Sequence, residues 1–257
     1  MTQADKLRQF ADLHQSGAPV LLYNIWDAGG ARALEKAGAS AIATGSWSVA
    51  AAHGYGDGQA ISLDFVLQIV GRIAASTSLP LSVDFEGAYA EDPAGVTENA
   101  RRLIQAGAIG VNFEDQIVGG DGLHAPEIQA RRIEALRKAG EAEGVALFVN
   151  ARTDLFLKEK DASAHAGLLD PALDRARIYA EAGANGFFVP GLTDMDLIRQ
   201  ICEGAGLPVN AMMIGPLNSV AEVAGAGVAR ISFGPAPYAL AMKDLAAQFA
   251  THREALS

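Results

Sequence analysis

Three short stretches hold side chains able to do chemistry at strand-like spacing: Ser82-Val-Asp84-Phe-Glu86, Asn112-Phe-Glu114-Asp115-Gln116 and Asn150-Ala-Arg152-Thr-Asp154. Alternate residues of an extended strand share a face. Asp84 therefore pairs with Glu86, Asn112 with Glu114 and Asn150 with Arg152, while Val83, Phe85, Val111 and Phe113 point the other way. Clustered carboxylates repel one another, and burying them unpaired is expensive. A divalent, oxygen-preferring cation relieves both problems. With carboxylates and amides on offer, Mg²⁺ is expected, with Mn²⁺ as the second choice, rather than zinc. Arg152 has the planar fork to clamp a substrate carboxylate, so the predicted ligand is a small organic acid with chelating oxygens. A purely structural acid–arginine network is the alternative. One Asp-x-Glu pair alone would be read that way, but three pairs at three successive strand ends favour a site.

The elements that must position these residues are marked by a recurring phrase. Lys-Ala-Gly-Ala at 36–39, Gln-Ala-Gly-Ala at 105–108, Glu-Ala-Gly-Ala at 181–184 and Gly-Ala-Gly-Val at 225–228 each follow a helix-spaced stretch and precede a short apolar run. Helix, glycine cap and strand in repetition are the grammar of a parallel α/β fold. Strands are predicted near 20–24, 40–44, 80–86, 110–114, 146–152, 186–190, 208–212 and 229–233. Helices fall between them near 28–37, 62–77, 93–106, 126–142, 171–182, 193–203 and 217–224, with another at 236–250. An extra N-terminal helix near 3–15 would close the barrel bottom. Eight such units in one domain spanning 1–257 predict a (β/α)₈ TIM barrel. A doubly wound sheet is the alternative, but no G-x-G-x-x-G follows the first strand. The Gly-rich stretches 53–58 and 117–124 and the polar 158–170 are then loops on the active face.

Composition narrows the partners. Half of the 257 residues are hydrophobic and 19% are charged, which excludes disorder. A net charge of −10 offers no basic stripe for nucleic acid. The single cysteine, Cys202, rules out an internal disulfide and a cysteine zinc site. The leading segment is polar and lacks the apolar core of a signal peptide, and the apolar runs are too short to span a membrane. A soluble, cytoplasmic protein is expected.

Further rim residues come from the second strand, which continues Thr44-Gly45-Ser46-Trp47. A Gly-Ser turn leaving a barrel strand offers N–H groups and a hydroxyl to an anion. An ordinary glycine turn is the alternative. Asp57 adds an acid on the following loop.

At these residues the chain resembles the isocitrate lyase/phosphoenolpyruvate mutase superfamily. The resemblance runs from Tyr23-Asn-Ile-Trp-Asp-Ala through Ala-Thr-Gly-Ser, Val-Asp-Phe-Glu, Asn-Phe-Glu-Asp-Gln and Asn-Ala-Arg-Thr-Asp to Phe-Val-Pro-Gly-Leu. It implies a (β/α)₈ barrel that binds Mg²⁺ and 2-oxo acids or their enolates, and that breaks or forms C–C or P–C bonds beside the carbonyl. Carried over by motif position, Asp84 is the principal metal ligand. Glu86, Glu114 and Asp57 are surrounding acids, reaching the ion partly through water. Ser46 and the Trp47 backbone resemble the carboxylate-binding turn, and Arg152 the substrate-holding arginine. Thr44 and Asn210 sit at further rim positions. Relatives commonly form tetramers that exchange a C-terminal helix. A homo-oligomer, dimer or tetramer, is therefore implied, with 236–250 the candidate segment.

The chain also departs from the family pattern. The usual Asp-x-Asp is Asp84-x-Glu86. The lyases' cysteine loop after Glu-Asp is replaced by Ile-Val-Gly-Gly-Asp-Gly-Leu-His, 117–124, so their general acid is absent. The phosphonomutase Lys-Thr-Asn-Ser loop is missing, and Pro190 stands where the mutase has histidine. The expected activity is Mg²⁺-dependent C–C cleavage, by decarboxylation or retro-aldol/Claisen chemistry, of a small 2-oxo or 2-hydroxy dicarboxylic acid such as an oxaloacetate-like one. The cation and Arg152 would stabilise the developing enolate. Loop 117–124 is the candidate gate. His124, its one imidazole, is a candidate acid or base; a solvent-exposed loop histidine is the alternative. Tyr23 is a candidate substrate contact that core packing explains equally well. Hydrolysis of a P–C or C–C bond, or 2-oxo acid binding without turnover, are the rival readings.

Overall fold

Four helices end on the repeated glycines, and each glycine turns the chain into a strand. Gly38, Gly107, Gly183 and Gly227 have φ between +92° and +108°, a region that side chains disfavour. At Gly107 a Cβ would also lie 2.6 Å from that of Ala74. The computed structural model describes residues 1–256. The strands are β1 Val20–Leu22, β2 Ile42–Ala43, β3 Leu81–Asp84, β4 Gly110–Glu114, β5 Phe148–Arg152, β6 Gly186–Phe188, β7 Val209–Met212 and β8 Arg230–Ser232. All pair in parallel, in the order β1-β8-β7-β6-β5-β4-β3-β2. Just beyond β1 and β2, an Ile25–Thr44 bridge brings the two edges together. This is a (β/α)₈ TIM barrel.

The helices are α1 Gln3–Asp12, α2 Ala28–Lys36, α3 Ser46–Ala52, α4 Leu63–Ser76, α5 Pro93–Gln105, α6 Pro126–Glu143, α7 Leu155–Lys158, α8 Leu169–Glu181, α9 Met195–Gly204, α10 Val220–Gly225 and α11 Ala236–Glu254. A 3₁₀ turn, Ala162–Leu168, joins α7 to α8. Two segments outside the predicted helices are thus partly helical. Residues 46–52 form α3, whose N-cap is Gly45 with no side-chain bond to announce it. The polar 158–170 stretch holds the 3₁₀ turn, started by Asp161 accepting from Ser163 N. Both are too short for periodicity to reveal. Among the described residues no helix is long and apolar enough to cross a membrane.

The outward strand residues Val83, Phe85, Val111 and Phe113 are buried in the main core beneath the helices. A second cluster fills the barrel bottom, where Phe10 of α1 packs with Val20, Leu22, Ala43 and Phe148. Its ring stands edge-on to Phe148, centroids 5.1 Å apart. Helix α1 is therefore the barrel's floor. Replacing Phe10 with Ala should lower stability by about 3–5 kcal/mol in urea unfolding, the range for a buried aromatic. A change below about 1 kcal/mol would show that the plug is not part of the core.

Candidate active site

The C-terminal ends of β3, β4 and β5 lie side by side, with Asp84 opposite Asn112 and Glu114 opposite Arg152 in register. Asp84 is the hub. Its backbone N–H donates to Thr44 Oγ1 (3.1 Å), and its Oδ2 accepts from Ser46 N (3.0 Å) and Ser46 Oγ (2.7 Å). Asn112 Nδ2 lies 3.4 Å from Oδ1. Beside it opens a cavity of about 230 Å³, whose polar wall comprises Ser46, Asp57, Asp84, Asn112 and Arg152. The buried Ser48 hydroxyl lines the same cavity without a protein partner.

Arg152 is shared among three carboxylates. Nε and Nη2 grip Asp154 at 2.5 and 2.9 Å, while Nη1 lies 3.0 Å from Glu114 and 4.0 Å from Asp84. Burial alone would lower its pKa, but Glu114 and Asp154 outweigh that and hold it charged. The acids are not all satisfied in return. Burial raises the Glu114 pKa against the pull of Arg152, with Asp154, Asp84 and Glu86 adding repulsion. Burial, then Asp84, pushes Glu86 up to about 7.

Glu86 reaches this cluster by a route that strand alternation does not describe. β3 stops at Asp84, and Glu86 has φ +49°. Ala88 and Tyr89 of the same turn, and Gln59 facing it, are left-handed too. Non-glycine residues pay for that conformation in steric strain. Gln59 holds the turn together: its N–H donates to Glu86 Oε1 (2.9 Å), and its side-chain oxygen accepts from Gly87 N and Tyr89 N.

Beneath the cavity the barrel interior is unusually polar. Asn150 Nδ2 donates to Asn112 Oδ1 (2.9 Å) and Asn210 Oδ1 (3.0 Å), and Arg230 Nη2 donates to Asn112 Oδ1 (2.9 Å). Arg230 is buried, and desolvation lowers its pKa to about 9 against the countering charge of Asp84. The signal was a lone arginine inside the apolar run Ala-Arg-Ile-Ser-Phe; its place in the floor is something sequence reasoning passed over.

Ser46, Trp47, Asp57, Asp84 and Arg152 thus meet at one cavity. Glu86 and Glu114 stand behind its wall, the former lining a small interior gap with Thr44. Thr44 anchors the Asp84 backbone, and Asn210 belongs to the floor. Tyr23 does not face the cavity. It is 40% exposed on the outer surface beside Leu21, because the inward position falls to its neighbour Asn24, whose Oδ1 accepts from Phe233 N and Gly234 N. His124 is neither exposed nor at the cavity. It is buried near Glu91 (3.6 Å), with its pKa lowered by desolvation and Arg132. Loop 117–124 is a tight hairpin closed by a Gln116–Leu123 bridge, with Val118 packed on Gly58 and Gly87. Asp115 is wholly structural, tied to Arg175, Tyr179 and Asp154 N.

Among the described residues, no three His, Cys, Asp or Glu side chains converge tightly enough to enclose a metal ion. The donors still suit Mg²⁺, which needs only one or two carboxylates and keeps several waters. Asp57, Asp84, Glu86, Glu114 and Asp154 face two guanidiniums, Arg152 and Arg230, leaving three formal negative charges when all ionise. Oxygen donors in excess of nearby positive charge, beside an open cavity, fit a hard dication.

Barrel, rim and motifs together define a member of a lyase and mutase superfamily. The sequence model of the phosphoenolpyruvate phosphomutase family matches residues 10–252, and the chain belongs to that family. It is 31% identical to 2-methylisocitrate lyase of Escherichia coli K12 over 75% of this chain and 64% of that enzyme. The crystal structure of a phosphonomutase candidate from Burkholderia cenocepacia J2315 superposes with a TM-score of 0.94 at 45% identity, covering 98% of this chain and all of the other. A phosphonopyruvate hydrolase complexed with oxalate and Mg²⁺ shares the fold, at TM-score 0.85 and 22% identity over 99% of this chain and 88% of that one.

The raised carboxylate pKa gives a signed prediction. Glu86 binds its proton more tightly folded than unfolded, so the stability it provides is complete below its ordinary value of 4.5 and is lost as pH climbs through about 7. A dication would take over where the proton leaves. Mg²⁺ should raise the Tm more at about pH 8 than at about pH 5.5; equal shifts, or none, would remove the cation from this cluster.

Proposed function

We propose that the protein is a Mg²⁺-dependent carbon–carbon lyase acting on a small 2-oxo or 2-hydroxy acid, by decarboxylation or by retro-aldol/Claisen cleavage. The observation that carries this reading is the under-neutralised carboxylate cluster around Asp84 at the wall of a metabolite-sized cavity. The kinship with 2-methylisocitrate lyase and the fold shared with a hydrolase that binds oxalate and Mg²⁺ support it.

Asp84 would hold the cation, with Asp57, Glu86 and Glu114 reaching it through water. When bound, the ion supplies Lewis-acid polarisation of the carbonyl oxygen beside the scissile bond. The chain's own groups do the rest. Ser48, whose hydroxyl has no protein partner, offers a donor to the substrate carboxylate, Ser46 orients Asp84 through its N–H and hydroxyl, and the Trp47 N–H lies in the same first turn of α3. Arg152, fixed by the Asp154 fork, presents positive charge where the enolate's electron pair develops. Glu114 Oε2, beside Arg152 Nη1 behind the cavity wall, holds a proton more readily than an ordinary carboxylate and would supply the proton to the carbon that must be reprotonated.

We also propose that the working form is a homo-oligomer joined through α11. This helix of 19 residues buries only Pro237, and it leaves Leu245 and Phe249 64% and 67% exposed. In a (β/α)₈ barrel the helix after β8 covers the flank of β1. Here Leu21 and Tyr23 on that flank line an open groove of about 430 Å³. The α11 of a second copy would bury both surfaces.

Asp84→Ala should abolish Mg²⁺-dependent pyruvate release from a panel of 2-oxo and 2-hydroxy acids while leaving the circular dichroism spectrum intact; unchanged metal dependence would free Asp84 of its role. Phosphate release from phosphonopyruvate would assign hydrolysis instead. Arg152→Lys should raise KM, about tenfold or more, because lysine lacks the planar fork; an unchanged KM would make Arg152 structural. Leu245→Glu with Phe249→Glu should shift the mass measured by light scattering to that of one chain, and a monomeric parent protein would refute the assembly.

A further inference from the structure

The cavity is two-faced, and its second face has no part in the chemistry above. Its acidic wall comes from the loop and strand ends of one arc of the barrel, β2 through β5. The other arc, β6 to β8, contributes Phe188, Pro190, Met212 and Ile214, and Trp47 and Leu157 flank it. Two of these are held out at the mouth, Trp47 39% and Ile214 38% exposed. Large apolar side chains lining a pocket and its rim are the usual contact surface for an apolar part of a ligand. Leu157 is pressed into place by Gly191 at φ +85°, where a Cβ would lie 2.9 Å from the Leu157 backbone.

The cavity lining of this arc carries no lysine or arginine, and Arg230 of β8 lies buried beneath it. Arg152 is the sole lysine or arginine lining the cavity, and Asp154 and Glu114 already occupy it. The segments 24–27, 53–59, 190–194 and 213–218, each of which supplies a lining residue, contain no lysine or arginine. The loop after β5 has two, Lys158 and Lys160. Both are exposed, and Lys160 Nζ donates to the Leu157 carbonyl (2.8 Å). A second substrate carboxylate on the apolar arc would be desolvated with no partner.

We infer that the substrate carries one carboxylate, at the Asp84 end, and an uncharged aliphatic or aromatic substituent that lies on Phe188, Met212 and Ile214. This rests on the proposed 2-oxo acid reading and narrows it to retro-aldol/Claisen cleavage, since a substrate whose one carboxylate is held at the cation has no second carboxylate to lose as CO₂. It departs from the dicarboxylic acid that the family resemblance suggested, because the apolar arc lines the cavity with no cation for a second carboxylate.

The test uses two nearly isosteric acids, 5-methyl-2-oxohexanoate and 2-oxoglutarate, which differ in having an isopropyl group or a carboxylate at the far end. Calorimetric titration of the intact protein in saturating Mg²⁺ should find the alkyl acid bound at least about tenfold more tightly, the discrimination typical of an apolar pocket. Ile214→Arg, a change at the exposed rim, should narrow or reverse that preference. Equal or tighter Mg²⁺-dependent binding of 2-oxoglutarate by the unaltered protein would overturn the inference while leaving the metal-site reading standing. Failure of both acids to bind in a Mg²⁺-dependent way would overturn the 2-oxo acid reading, and this inference with it.

Discussion

One guanidinium shared among too many carboxylates is the constraint around which the active face is organised. Arg152 is satisfied several times over, by Asp154 through a two-toothed grip and by Glu114 and Asp84 at its remaining edge. The acids outnumber the guanidiniums that face them, Arg152 and the buried Arg230, and stay under-neutralised. In water such crowding would be screened. At the end of a barrel, behind strands whose outward residues are sealed by helices, it persists as raised proton affinity on Glu86 and Glu114. The polar floor of Asn150 and Asn210 with Arg230 fixes Asn112 from below, and Asn112 in turn approaches Asp84.

The local backbone is bent to sustain this arrangement. Four left-handed non-glycine residues gather where Glu86 turns back toward Asp84, and Gln59 ties them with one donor and two accepted bonds. Strain of this kind survives only where surrounding contacts over-determine the conformation. Its concentration beside the carboxylates, away from the rest of the barrel, separates this cluster from an ordinary surface ion-pair network. Asp115 makes the contrast plain. Burial raises its pKa as well, yet Arg175, Tyr179 and a backbone N–H bond its carboxylate, and it does not line the site cavity.

Much of this was legible in the sequence, and the failures share a cause. Glycine caps and period-two alternation report on regular backbone, so eight strands, their order of appearance and the convergence of Asp84, Asn112 and Arg152 could be read directly. Glu86 was placed beside Asp84 for the wrong reason, since the strand had already ended and a left-handed turn brought it back. Tyr23 and Asn24 were exchanged because the inward position at the end of β1 depends on a register that a three-residue strand does not announce. His124 reads in the sequence as an acid or base on a candidate gate, or else as an exposed loop residue, but the backbone bond from His124 N to Asp115 O pins it to the hairpin base. Arg230 was overlooked because a buried cation without a local partner makes sense only once strands distant in sequence are brought together.

Helix α11 is rooted at the pocket. Gly234 and Pro235 line the cavity, and Tyr238, one turn further on, stands edge-on to both Trp26 and Trp47. The root of the arm and the mouth of the pocket therefore share a few residues. A change in what the arm leans against would tilt the aromatic rim, with no substitution in the site itself. In a lineage built on this plan, quaternary arrangement and ligand preference would drift together as one heritable trait.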